Sequence, residues 1–144
     1  MKKNILFLCT GNSCRSQMAE GWGKALKGDL FNFYSAGTKK HGLNPIAVQV
    51  MNEVGVDISS HISNTTDELP QVTMDFVITV CSDAHETCPF FPNGTIIHVG
   101  FDDPPRLTKD MDNEDEVLNV YRRVRDQIKS MVANIETYIE VKDE

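Results

Sequence analysis

The chain has 144 residues, 40% of them hydrophobic, with 14 lysines and arginines against 21 aspartates and glutamates, for a formal charge of −7. That length suits one domain with a core of its own, and the acidic balance argues against nucleic acid or an anionic membrane as a partner. No stretch nears the roughly 20 apolar residues of a membrane span, and the short apolar run behind Met1, Lys2 and Lys3 falls below the seven or more residues of a signal peptide, so a cytoplasmic location is expected.

Residues 5–8 are continuously apolar, as in a strand covered on both faces, and the pattern stops at Cys9. A helix is expected to begin near Ser16. Between them lie Thr10, Gly11, Asn12, Ser13 and Cys14, all small or polar. Through such residues the backbone can curl until several N–H groups face one hollow, a nest suited to an anion. Arg15 adds a planar, permanently charged fork that can hold two oxygens of a tetrahedral oxyanion, and Ser16 closes the set. A helix N-terminus and a neighbouring arginine both favour thiolate over thiol, which makes Cys9 the candidate nucleophile. The loop lacks a Gly-Lys-Ser/Thr ending, so it is not a nucleotide-binding loop.

Met18, Ala19, Trp22, Ala25 and Leu26 then form a helical apolar stripe, stopped by Gly28, with Trp22 read as core packing. A second strand is expected over 31–36, closed by Gly37. Asn44 and Pro45 supply the cap and first residue of a helix that carries Ala47, Val50, Met51 and Val54 on one face and ends at Gly55. Residues 57–73 are polar and turn-rich, with a short helix near 66–69 ended by Pro70. Strands follow over 75–80, ending at Cys81, and over 95–99 after the turn at Pro92, Asn93 and Gly94. Residues 100–113 read as a loop. A last helix over 114–138 presents Val117, Tyr121, Val124, Ile128, Met131, Ile135 and Tyr138. That stripe could form a coiled-coil seam, but a sheet needing cover makes docking the better reading. Arg122, Arg123 and Arg125 read as its solvated face. His41, His61 and His98 form no constellation.

Strands alternating with helices predict an α/β fold. The expectation is a single-domain three-layer sandwich over residues 1–144, with a four-stranded parallel sheet in the order 2-1-3-4 and a frayed tail at 141–144. Its switch point lies between strands one and three. Cys9, Cys81 and the pair Asp102 and Asp103 would then meet at the carboxyl edge of the sheet.

The pattern of a short apolar strand, Cys9, five residues, Arg15 and Ser16 resembles the phosphate loop of low-molecular-weight protein tyrosine phosphatases and of the thioredoxin-coupled arsenate reductases built on that fold. Cys81 and Cys88, followed by Pro89, and the run Gly100, Phe101, Asp102, Asp103, Pro104 extend the resemblance to the reductases over nearly the whole chain. A phosphatase needs one thiol, whereas two-electron reduction of a bound oxyanion needs a resolving thiol as well. The resemblance implies a relay in which Cys9 attacks arsenate, Cys81 attacks Cys9 with release of arsenite, and Cys88 attacks Cys81 to leave a disulfide for thioredoxin, the external reductant. It implies Asp103 as proton donor to the departing oxygen, with Asp102 a weaker alternative. Both aspartates could instead be turn formers. Where the phosphatases often carry an aromatic residue after this Asp-Pro, the chain has Pro105, Arg106 and Leu107, which favours arsenate and similar tetrahedral oxyanions over phosphotyrosine.

Some such reductases bind potassium with residues matching Asn12, Glu20 and Ser35; an acidic ligand of that site falls here on Asn64. No organic cofactor is expected. Cys14 is read as a bystander able to form an off-pathway disulfide with Cys9. A zinc site from Cys9, Cys14, Cys81 and Cys88, with His85, would need gaps of four and six residues, outside the usual two to four. The phosphatase, with Cys81 and Cys88 incidental or redox-protective, is the alternative function. Ser82 or Asp83 can cap a short helix over 84–87, which a Cys81–Cys88 disulfide would unwind, pushing Phe90 and Phe91 toward solvent.

Overall fold

The computed structural model describes residues 2–81 and 95–143, the last four by backbone alone. Cys88, His85, the helix expected over 84–87, its caps Ser82 and Asp83, the aromatic pair Phe90 and Phe91, and the turn at Pro92, Asn93 and Gly94 lie outside those residues.

Strand β1 (Lys3–Cys9) alternates its side chains, as period two demands. Ile5, Phe7 and Cys9 join the main core, while Leu6 and Leu8 join a smaller cluster on the opposite face with Ala36, Met74 and Val77. Burial on both sides explains its unbroken apolar run. Strands β2 (Phe31–Gly37), β3 (Phe76–Thr79) and β4 (Thr95–His98) complete a parallel sheet in the order β2-β1-β3-β4, as expected. Leu8 is in register with Ala36 on one side and Thr79 on the other. Single bonds from Val80 N to Leu8 O and from Val99 N to Thr79 O continue the ladder at 2.9 Å beyond the last paired residues. Cys81 is thereby carried to the end of the same sheet edge as Cys9.

Helix α1 (Arg15–Lys27) follows β1 directly. Met18, Ala19 and Trp22 are buried as the stripe predicts, but Ala25 and Leu26 are exposed. The helix starts inside the molecule, so residues 15–23 are covered on every side and only its last turn overhangs. Helix α2 (Pro45–Glu53) is capped by Asn44, whose Oδ1 accepts from Ile46 N and Ala47 N. Val54 follows as its C-cap and is exposed. The short helix expected near 66–69 is a 3-10 turn, Thr66–Glu68, closed by a capping box between Thr65 and Glu68.

The expected loop over 100–113 contains helix α3 (Pro104–Thr108). Asp103 before a proline is an N-cap signal, and prolines at the first helical positions lack only amides that a helix start leaves unused. The long terminal helix is two: α4 (Glu114–Ala133) and α5 (Ile135–Asp143), which runs into the stretch expected to fray. Asn134 makes the break, its Nδ2 donating to Ser130 O at 2.8 Å in the local competition that Asn side chains offer a helix.

The buried face of α4 is also wider than the stripe predicts. Leu118, Arg125 and Val132, spaced seven apart, join Tyr121, Val124, Ile128 and Met131. Arg125 is therefore not on a solvated face. It is buried, donating from Nη1 to Val50 O at 2.9 Å and to Glu53 Oε1 at 3.0 Å, and so ties α4 to α2. Its carbonyl accepts from Trp22 Nε1 at 3.1 Å, tying α4 to α1. Among the described residues, no helix is long and apolar enough to cross a membrane.

Candidate active site

The loop after Cys9 is held from outside by its carbonyl oxygens. Thr10 O accepts from Lys39 N and Thr38 Oγ1, and Gly11 O from His41 N and Ser63 Oγ, each at 3.1 Å. Asn12 O accepts from Gln17 Nε2 at 3.2 Å, Ser13 O from Asn44 N at 3.0 Å, and Cys14 O from Met18 N at 2.9 Å. With the carbonyls of residues 10–13 held by surrounding backbone and side chains, the loop is fixed in the curled form that a nest for an anion requires. Asn12 takes the left-handed conformation, φ 47°. Its side chain secures the turn, giving Nδ2 to Ser16 Oγ at 2.8 Å and accepting Asn64 N at 2.7 Å. Neighbouring backbone comes so close that a Cβ at Gly37 would sit 2.6 Å from Thr10 O and 2.7 Å from Cys9 O. A Cβ at Gly11 would meet the His41 ring at 2.3 Å.

These constraints leave a hollow of about 430 Å³ whose walls include Cys9, Arg15, His41, Asn44, Asp103 and Arg106. Arg15, read as the ligand's clamp, is itself clamped. Its buried guanidinium donates from Nη1 to Phe101 O at 3.0 Å, and Nη2 lies 3.6 Å from Asp103 Oδ1. Asp103 stands at the N-cap of α3 but makes no side-chain capping bond; its carboxylate faces the arginine instead. Asp102 points away, paired on the surface with Arg123 at 3.1 Å. The two aspartates that sequence left in competition are thus separated, and Asp103 alone reaches the hollow.

Cys81 is fully buried, its Sγ 4.0 Å from Thr10 Oγ1 and 4.0 Å from Leu8 O. A second thiol therefore abuts the residue that follows Cys9. None of the three described cysteines, Cys9, Cys14 and Cys81, is in a disulfide. A family model described as low molecular weight phosphotyrosine protein phosphatase matches residues 4–144. The chain belongs to that family.

Within the family, the chain is 51% identical over 138 residues to arsenate reductase 1 of Staphylococcus epidermidis, covering 95% of this chain and 96% of the relative. A solved arsenate reductase in the reduced state superposes with a TM-score of 0.73 at 33% identity, covering 95% of this chain and 98% of that one. Another, in the phosphate binding state, gives 0.71 at 32% identity, with 92% and 95% covered.

The remaining residues of interest lie behind the loop of this family member. Burial pushes the Cys14 thiol far above the ordinary cysteine value, repulsion from Cys9 adds to that, and Arg15 offsets it only in part. The residues matched to a potassium site are engaged with protein donors. Glu20 Oε1 accepts from Ser35 Oγ and Oε2 from Lys24 Nζ, both at 2.5 Å, while His61 Nε2 stands 3.9 Å from Oε2. Asn12 Oδ1 is taken by Asn64 N and Gln17 Nε2. His61 Nδ1 meets Gln17 Oε1 at 3.0 Å, which joins Glu20 to the loop. Among the described residues no three His, Cys, Asp or Glu side chains gather as a metal site. Sequence reading gave His41 no constellation and Tyr121 only a place in a packing stripe, and it did not single out Gln17 or Ser63. The roles of His41 and Ser63 arise from contacts to loop carbonyls 30 and 52 residues away, respectively, for which a single sequence carries no signal.

Proposed function

We propose that this protein is an arsenate reductase working through a three-thiol relay. What carries the reading is the second buried thiol: Cys81 lies against Thr10 at the rim of a loop built to hold a tetrahedral oxyanion. Relatives bearing the arsenate reductase name over nearly the full length support it, as does a family member of like fold solved in a phosphate binding state. Pro105 and Arg106 line the hollow, giving a small inorganic anion a cationic wall and offering an aryl group no aromatic side chain at those two positions.

In this reading the Cys9 thiolate attacks arsenic and an S–As bond forms. Asp103 protonates one departing oxygen, which leaves as water, and the loop amides with Arg15 hold the remaining oxygens. The Cys81 thiolate then attacks the Cys9 sulfur. An S–S bond forms, the electron pair of the S–As bond stays on arsenic, and arsenite departs with arsenic reduced from As(V) to As(III). Cys88 attacks Cys81, which frees Cys9 as thiolate and leaves the Cys81–Cys88 disulfide. A thioredoxin dithiol reduces that disulfide and is itself oxidised.

The test is to give fully reduced protein arsenate without reductant and count thiols against arsenite released, with hydrolysis of an aryl phosphate run alongside. Two thiols lost per arsenite is the expected result. Steady aryl phosphate hydrolysis with every thiol retained and no arsenite would assign the chain to the phosphatases instead.

A further inference from the structure

The chain has five arginines, and four of them face carboxylates. Arg122 and Arg125 share Glu53, at 2.7 and 3.0 Å, Arg123 holds Asp102 at 3.1 Å, and the buried Arg15 stands 3.6 Å from Asp103. Arg106 has no ion pair among the described residues, although acidic side chains outnumber basic ones by 21 to 14 along the chain.

The cause is local. Asp103 and Arg106 lie three apart at the start of α3, where Leu107 N donates to Asp103 O at 3.0 Å. Residues three apart on a helical turn are neighbours, and opposite charges there ordinarily attract. Asp103 turns its carboxylate to Arg15 instead, and Asp102 is taken by Arg123. Arg106 is left exposed on the wall of the oxyanion hollow, on the same turn that brings Asp103 to it.

The two arginines of the hollow are therefore set up differently. Arg15 is buried, its plane fixed by Phe101 O at 3.0 Å and its charge partly offset by Asp103. Arg106 keeps its whole charge on the solvent side, where a cation acts on an approaching anion at a distance and not through bonds fixed beforehand. In a chain of net charge −7, an anion is repelled until it meets such a local field. That attraction grows with the product of the two charges, so it favours an ion of two charges over one of the same shape with a single charge.

We infer that Arg106 is a specificity-determining residue, which captures the oxyanion on its way to Arg15 and selects doubly over singly charged tetrahedral anions. The inference rests on the reading of the hollow as the oxyanion site.

The test measures kcat and KM for arsenate in the wild type, Arg106→Gln and Arg106→Lys over a range of ionic strength, together with inhibition constants for sulfate and perchlorate, tetrahedral ions of two charges and of one. For Arg106→Gln, kcat/KM should fall about fivefold with kcat within about twofold. Its decline with added salt should become shallower, and the preference for sulfate over perchlorate should narrow by about the same factor. Arg106→Lys should keep most of all three properties, because charge and not the planar fork acts at a distance. An unchanged kcat/KM in Arg106→Gln overturns the inference, as does an unchanged sulfate preference or a fall confined to kcat. If the wild type releases no arsenite, the arsenate reductase reading fails by itself, and phosphate titration of the same three proteins then decides the inference. An affinity about fivefold weaker in Arg106→Gln is expected there, and an equal one overturns it.

Discussion

Arg15 reaches the hollow with one Nη already bonded to the Phe101 carbonyl and the other beside Asp103, so its plane is set before any ligand arrives. Arg15→Lys keeps the charge but loses that planar anchorage. Removing one such donor costs roughly 3 kcal/mol, on the order of a hundredfold in rate, and Arg15→Lys should fall near that figure in arsenite production, with Cys9→Ser inactive. Wild-type turnover by Arg15→Lys would remove the clamp from the mechanism. Cys81→Ser should bind oxyanion with the loop intact and release no arsenite, while Cys88→Ser should give about one arsenite per chain and stop as a Cys9–Cys81 disulfide. Repeated turnover by Cys88→Ser with thioredoxin alone would end the three-thiol scheme. The loop from Cys9 to Arg15 was legible because its chemistry is local: a cysteine, small residues and an arginine within seven positions. Asp103 was readable only as one of two, since choosing it over Asp102 depends on Arg123, which α4 brings from 21 residues away.

Elements were legible where the cause of an element lies inside it. The period-two faces of β1 and the Asn44 and Pro45 start of α2 follow from neighbouring residues. The exposed end of α1 and the burial of Arg125 depend on where the rest of the chain stands. Gly37 is such a case. It reads as an ordinary strand end, yet it lies where β2 passes the loop too closely for any side chain. Gly37→Ala would press a methyl group into backbone oxygens that cannot yield without moving the loop. A destabilisation of about 1–3 kcal/mol is expected, with weaker oxyanion affinity, measured by denaturant unfolding and by phosphate titration. Wild-type values for both would mean that the loop is less tightly framed than its distances imply.

Across the whole molecule, the charge of −7 supplies no attraction for an anion, so binding must be local and stability must follow the state of individual groups. Burial lowers the proton affinity of His61, with the pull of Glu20 opposing only in part. The unfolded chain, near the ordinary histidine value of about 6.5, then takes the proton more readily than the folded one. Stability is therefore full above that value and declines as pH falls through it. His61→Gln should show a smaller drop in thermal midpoint between pH 7 and pH 5 than the wild type; an equal drop would assign the acid sensitivity to other groups. The opening of α1 has a different consequence. Its N-cap Cys14 makes no side-chain capping bond, so an oxyanion bound in the loop, as proposed, would complete that helix end and would make ligand occupancy and folding one equilibrium. An oxyanion at 100 times its dissociation constant adds about 2.7 kcal/mol, which at roughly 3 °C per kcal/mol for a chain of this size raises the midpoint by about 8 °C. Scanning calorimetry in phosphate, arsenate and chloride would show it, and no difference among the three would detach α1 from the anion. On the proposed reading, inorganic phosphate in the surrounding medium would act in two opposed ways at once, lengthening the life of the folded chain while withholding its loop from arsenate.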